Sequence, residues 1–364
     1  MPLTELFART MDNLLALANR GKQCRKQLDP DLFDGRAYSI DEFYREHMRY
    51  FDQPAEFFRD FASPDGLHLC EAGNGSLPNR LRGVAKLYEF DSPLHTDYEE
   101  NNLVPFKWFK ASQERNSTLL LFAPGWGRND QGFEEDMCGR LAHHGIDAGL
   151  LTKPFHQQRT PAGSRSGEYF ISPNLFWTIA NFRQFTAEIL LLLRYMRNHY
   201  KYVGLIGLSS GGFQAGLASD CEEVDFLFPV MTGSVMGSLT WHGLLTREIR
   251  HTLERRGVTE ADLNKLWSIT DQAVLGRHCR ARFRKQYISV YDRVVPAEYQ
   301  VKLWEAYGKP DRSLMQSSHS SFYFSRHAVI DDIAQYVHHC IGPTNLHRTH
   351  QLKSDTSPVE PITM

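Results

Sequence analysis

Apolar and polar positions change their rhythm twice along the chain. Up to about residue 62 the apolar residues recur at helical spacing. Leu3, Phe7, Met11, Leu14, Leu15 and Leu17 form one such series, and residues 41–51, rich in aromatics with Asp41 near the start, form a second. After the breaker Ser63-Pro64-Asp65-Gly66 the pattern turns β-like. Residues 83–90 alternate apolar and polar, as an outer strand with one wet face should, and 103–109 make a second strand of this zone. From residue 117 onward the strands become continuous apolar runs, at 118–123, 147–152, 203–207, 224–230 and 287–291. Such runs suit strands buried on both faces, the central parallel strands of an α/β protein. Helical patterns lie between them at 133–144, 177–199 and 210–219. Strand–helix alternation of this kind predicts a mostly parallel, doubly wound sheet.

Two intervals stand apart. Residues 232–285 are too long for a simple crossover and carry helical stretches at 244–256 and 260–269, so a helical cap over the strand ends is expected there. The tail from Gly342 lacks apolar periodicity and reads as disordered. The expected organisation is a helical N-terminal extension (1–62), an α/β domain (63–341) with its cap, and a tail (342–364).

Composition narrows the classes. In 364 residues there are 41 Lys and Arg against 43 Asp and Glu, which argues against broad phosphate-backbone binding and hence against nucleic acid. The longest aliphatic run, 189–193, is far below the ~20 residues of a membrane span. The N-terminus carries Glu5 and Asp12 where a secretory leader would be basic, and the six cysteines are scattered without a CxxC pair. A cytoplasmic protein with structural thiols is the expectation. The pairs His143-His144 and His338-His339 point to different faces of their helices, so no metal site and no cofactor are expected.

The sharpest chemical signal is Gly207-Leu208-Ser209-Ser210-Gly211, a G-x-S-x-G match. Chance supplies roughly 0.1 such match in a chain of this composition, so the context has to carry it. An apolar strand runs into the motif and a small-residue helix runs out of it, the setting in which a serine is held on a strained turn with its hydroxyl exposed. A serine nucleophile needs a base, and the base an orienting acid. Asp292 follows the strand at 287–291, and His319 lies in the small polar loop after the next one; Asp311, the competing acid, precedes its strand. The developing oxyanion requires two N–H donors. The backbone of Ser210 supplies one candidate, and that of Trp126, in the Pro124-Gly125-Trp126-Gly127 loop after strand 118–123, the other. The loop at 153–174 leaves a central strand at the same edge, so His156, Arg159 and Arg165 are candidate substrate-binding residues.

These motifs, across residues 117–340, resemble the α/β-hydrolase superfamily, although Pro124 stands where many members have His. The resemblance implies a serine hydrolase acting through an acyl-enzyme on a small-molecule carboxylic ester. In it Ser209 would attack, His319 would carry the proton and Asp292 would hold the imidazolium. The alternatives are a non-catalytic binding module on the same fold, or an acyltransferase or cyclase using the same triad. The pattern is also similar to uncharacterised bacterial hydrolase-domain proteins.

Overall fold

A computed structural model describes residues 3–19, 39–58, 67–72, 79–81, 83–111 and 117–342. Its centre is a sheet of nine described strands: β1 (Cys70–Glu71), β2 (Ala85–Asp91), β3 (Leu103–Phe109), β4 (Thr118–Ala123), β5 (Asp147–Leu151), β6 (Tyr202–Leu208), β7 (Val224–Val230), β8 (Ala281–Ser289) and β9 (Asp311–Met315). They lie in the order β1-β2-β3-β5-β4-β6-β7-β8-β9. The pairs from β1 through β3 to β5 are antiparallel, and every pair from β5 to β9 is parallel.

The fully apolar runs sit where they are covered on both sides. Along β4, Leu119, Leu121 and Ala123 enter one core cluster, with Phe182, Phe185 and Ile189 of the Leu175–Arg197 helix and Ala215 and Ala218 of the Gly211–Cys221 helix. Leu120 and Phe122 enter the opposite cluster, with Met137 and Leu141 of the Gly132–His143 helix and Ile330 and Ile333 of the Phe322–Ile341 helix. Alternate side chains of a strand point to opposite faces, so a strand between two helical layers must be apolar throughout.

Chain order places the site. The chain leaves β4 for β5 on one side and reaches β6 on the other. The loops after β4 and β6 therefore diverge at their carboxyl ends, opening the crevice in which α/β sheets bind ligands.

Between β7 and β8 the chain passes through the helices Met236–His242, Arg247–Arg255, Glu260–Leu266 and Gln272–Leu275. The helical insertion expected at 232–285 stops short of its C-terminal bound, because residues 281–285 belong to β8. Ala281 pairs with Val224 and Lys285 with Asp311, and that hydrogen bonding claims the charged stretch for the sheet. β8 also ends at Ser289, so Asp292 stands three residues beyond the strand instead of directly at its end.

The described N-terminal segments are helical: Leu3–Asn19, Ile40–His47 and Pro54–Phe58. Ser39 and Glu42 form a reciprocal capping box that starts the second of these. It docks through Phe43, whose ring meets Phe176 edge-on at 4.8 Å, and through Asp41, paired with Lys265 at 2.5 Å. The tail beyond Gly342 lies outside the described residues.

Candidate active site

The turn between β6 and the Gly211–Cys221 helix is as tight as its sequence implies. Ser209 has φ +52°, the left-handed region that costs a non-glycine residue about 1–3 kcal/mol and persists only when its surroundings hold it. Here they do. The Ser209 N–H donates to the Val230 carbonyl at 2.8 Å, and its own carbonyl accepts from the Gly212 N–H at 3.1 Å and the Thr232 hydroxyl at 3.0 Å. The flanking glycines are required by close approach. A Cβ on Gly207 would lie 2.3 Å from the Gly212 Cα, and one on Gly211 would lie 2.1 Å from the Ala123 carbonyl oxygen. Met231, which lines the cavity, and Val235 are also strained, at φ +50° and +58°. Asp271 holds the second, its carboxylate accepting from the Val235 and Met236 N–H groups.

Asp292 and His319 come together from loops 27 residues apart in sequence: the Asp292 carboxylate lies 2.8 Å from the His319 Nδ1. Asp292 is fully buried and rigidly held. Its Oδ1 accepts from the Val294 and Val295 N–H groups at 2.8 Å each, and Gln300 donates to its Oδ2 at 3.3 Å. Burial pushes the Asp292 carboxyl above its ordinary value, against the pull of the facing imidazole. Burial works to lower the His319 imidazole, but the charge and hydrogen bond of Asp292, with a further contribution from Asp12, outweigh it and leave it raised.

Ser209 and His319 face one cavity of about 460 Å³, which Trp126, Ser210 and Arg165 also line. Its wall is mostly apolar, with Ile171, Phe182 and Phe213 below and Met236, Leu239 and Ile249 contributed by the segment between β7 and β8. The Trp126 and Ser210 amide N–H groups have no hydrogen-bond partner among the described residues, while the Trp126 indole donates to the Gly167 carbonyl at 2.8 Å. Gly125 sits against the serine, with Ser209 Cβ 3.8 Å from where its own Cβ would be. The donor-bearing loop and the serine turn are thus in contact.

Two of the three residues assigned to substrate binding lie elsewhere. Arg159 is completely buried and forms a two-pronged ion pair with Glu188, while donating to the Thr152 and Asn101 carbonyls. It braces the loop after β5 against the Leu175–Arg197 helix. His156 is buried behind the Trp126 loop. Its Nε2 accepts from the Gly127 N–H at 3.0 Å, so its Nδ1 carries the proton and donates to the Pro154 carbonyl at 2.8 Å. Burial, aided by the nearby Lys153, pulls this imidazole down to about 3, keeping it neutral and able to accept. His156 therefore shapes the loop that presents Trp126 and does not touch the cavity.

Lys153 is a residue that the sequence does not single out. It is fully buried between Phe170 and Phe185, and its Nζ donates to the Ser210 hydroxyl at 2.7 Å, fixing the residue next to Ser209. Burial drives its amine well below the ordinary value. A lysine directly after an apolar strand was the available signal, but lysines at strand ends are ordinarily solvated.

Among the described residues no cluster of His, Cys, Asp and Glu could hold a metal ion, and no helix is long and apolar enough to cross a membrane. No protein-family model matches the chain. An uncharacterized protein of Bacillus subtilis (strain 168), YdjC, is 28% identical over 110 residues, covering 27% of this chain and 84% of that protein. Acetyl xylan esterase from Paenibacillus sp. R4 superposes with a TM-score of 0.59 at 15% identity, over 85% of this chain and 98% of the other. Acetyl xylan esterase 1 from Thermoanaerobacterium sp. JW/SL YS485 does so with a TM-score of 0.54 at 15% identity, over 77% and 92%. At such identities the likeness speaks for architecture, and it agrees with the strand order, the parallel half-sheet and the strained turn after β6: this chain has the α/β-hydrolase fold.

Proposed function

We propose that the protein is a serine hydrolase that cleaves a carboxylic ester with an apolar acyl group, through an acyl-enzyme. The observation that carries this reading is the strained Ser209 facing the same cavity as His319, with His319 held at its far nitrogen by a buried carboxylate. Ser209 Oγ attacks the ester carbonyl carbon while His319 Nε2 takes the hydroxyl proton. The imidazolium so formed is stabilised by Asp292. The charge on the carbonyl oxygen falls to the Trp126 and Ser210 N–H groups, the latter at the positive end of the Gly211–Cys221 helix. Collapse expels the alcohol, which takes the proton from His319, and water then repeats the sequence to release the acid. The apolar wall favours a hydrocarbon acyl group, and the volume lies within the range of small-molecule pockets. The esterase names of the two structural likenesses are in keeping with this class.

The test is labelling with a fluorophosphonate probe followed by peptide mapping, alongside turnover of p-nitrophenyl esters. Wild type should label at Ser209 and hydrolyse the esters, and Ser209→Ala should do neither, with a loss on the order of 10⁴-fold or more and an unchanged thermal midpoint. A wild-type protein that neither labels nor turns over would leave the binding-module reading in its place.

A further inference from the structure

The Leu3–Asn19 helix is docked the wrong way round for an ordinary amphipathic helix. Leu3, Leu6, Phe7, Leu14 and Leu17 are exposed, while its fully buried side chains are Ala8 and the carboxylate of Asp12, at 0% exposure. Burying a carboxylate costs several kcal/mol unless hydrogen bonds replace its water, and here two do. Asp12 Oδ2 accepts the Arg293 N–H at 3.0 Å, and Asp12 Oδ1 accepts the Ser320 N–H at 2.9 Å. Arg293 directly follows Asp292, and Ser320 directly follows His319. Each oxygen of one side chain thus holds one of the two loops whose separation sets the His319–Asp292 hydrogen bond. Met11 and Leu15 of the same helix line the cavity.

We propose that Asp12 is a positioning residue of the active site, tying the loop that carries the acid to the loop that carries the base; this rests on the serine-esterase reading. A residue that only anchored its helix could do so with the leucines it turns outward, with no desolvation cost. The acid is placed where two donors from different loops converge, and a carboxylate is the side chain with two acceptor oxygens and no donor. The charge acts as well. The groups facing His319 are Asp292 from the loop after β8, Asp12 from the N-terminal helix and Arg128 from the loop after β4, and Asp12 works to raise the imidazole.

Asp12→Asn keeps the size but leaves one acceptor, so one N–H meets an amide N–H instead. In the full chain kcat for p-nitrophenyl butyrate should fall about 10- to 100-fold with KM within about twofold, because a small misplacement of reacting groups costs rate more than binding. The His319 imidazole, followed by NMR, should titrate at lower pH than in wild type. Asp12→Glu, which restores the charge and both acceptors, should recover part of the rate and return the titration toward wild type. Asn13→Ala, which removes only an exposed bond to the Arg293 guanidinium, should keep wild-type kcat. Wild-type kcat and an unmoved His319 titration in Asp12→Asn would overturn the proposal, as would an equal loss in Asn13→Ala. Should wild type show no turnover and no probe labelling, the esterase reading falls by itself. The titration still decides whether Asp12 governs the pair.

Discussion

The serine turn and the N-terminal helix reach the same cavity by opposite means. The turn hangs from β6, each of whose seven residues is buried, and its position is dictated by interlocking backbone with no room for a side chain at Gly207 or Gly211. The helix has most of its large apolar residues in water, and a buried acid fastens it to the loops it touches. In the first region hydrophobicity reports burial, because a strand between two helical layers has no wet face. In the second it does not, because the helix is outside both layers and its one buried polar side chain, Asp12, is held by hydrogen bonds to two loops. An element of a candidate site can be positioned by packing or by polar satisfaction, and only packing leaves a periodic trace.

Gly211→Val disturbs the packed serine turn and should have the largest effect. The added Cβ would run into the backbone of Ala123 and Pro124 at 2.1 and 2.5 Å, neither of which can swing aside. Urea unfolding should show a loss of about 1–3 kcal/mol, and Ser209 should no longer label with a fluorophosphonate. A variant of full stability and reactivity would mean that the turn is looser than its contacts imply.

His319 joins the two regions, and its pH dependence reads both. In the proposed mechanism its protonated form cannot accept the Ser209 proton, and its imidazole is raised by Asp292 and Asp12 against the effect of burial. The acid limb of kcat/KM should therefore lie above the ordinary histidine value of ~6.5, activity being lost as pH falls through it. A limb at or below that value would place the pair in a setting where burial wins.

The smallest effect is expected on the outward face of the helix. Leu14→Ser and Leu17→Ser should each change stability by no more than about 0.5 kcal/mol in urea unfolding, since both residues are already more than half exposed. A clearly larger loss would show that this face is covered in solution.

Much of the architecture was legible because central strands must be apolar on both faces. The runs at 118–123 and 224–230 match β4 and β7 residue for residue. The early part of β8 was not, since its residues Arg282, Arg284 and Lys285 read as part of the helical insertion until their pairing with β7 and β9 is seen. The candidate site divides along the same line. Ser209, Trp126 and Ser210 belong to turns that directly follow buried strands, and the strand fixes where such a turn emerges. The sequence points Arg159 and His156 toward substrate because polar side chains in a loop at the candidate edge ordinarily face solvent or ligand. Arg159 instead meets Glu188, 29 residues away on a helix, and His156 meets Gly127, 29 residues back in another loop.

Legible from the residues alone were the strands covered on both faces, the tight turn at Ser209 and the chain order of the residues proposed as serine, acid and base. Each follows from local constraints: the apolar requirement of a covered strand, the small volume a tight turn demands, and the reach of a loop from its strand. Which polar groups meet is set by how the loops assemble. A hydrogen bond such as Asp12 to Ser320 spans 308 residues, and nothing in the neighbourhood of either residue encodes the other. The partner of a buried charge is a property of the assembled loops, because any acceptor of the right size and direction satisfies the donor equally well.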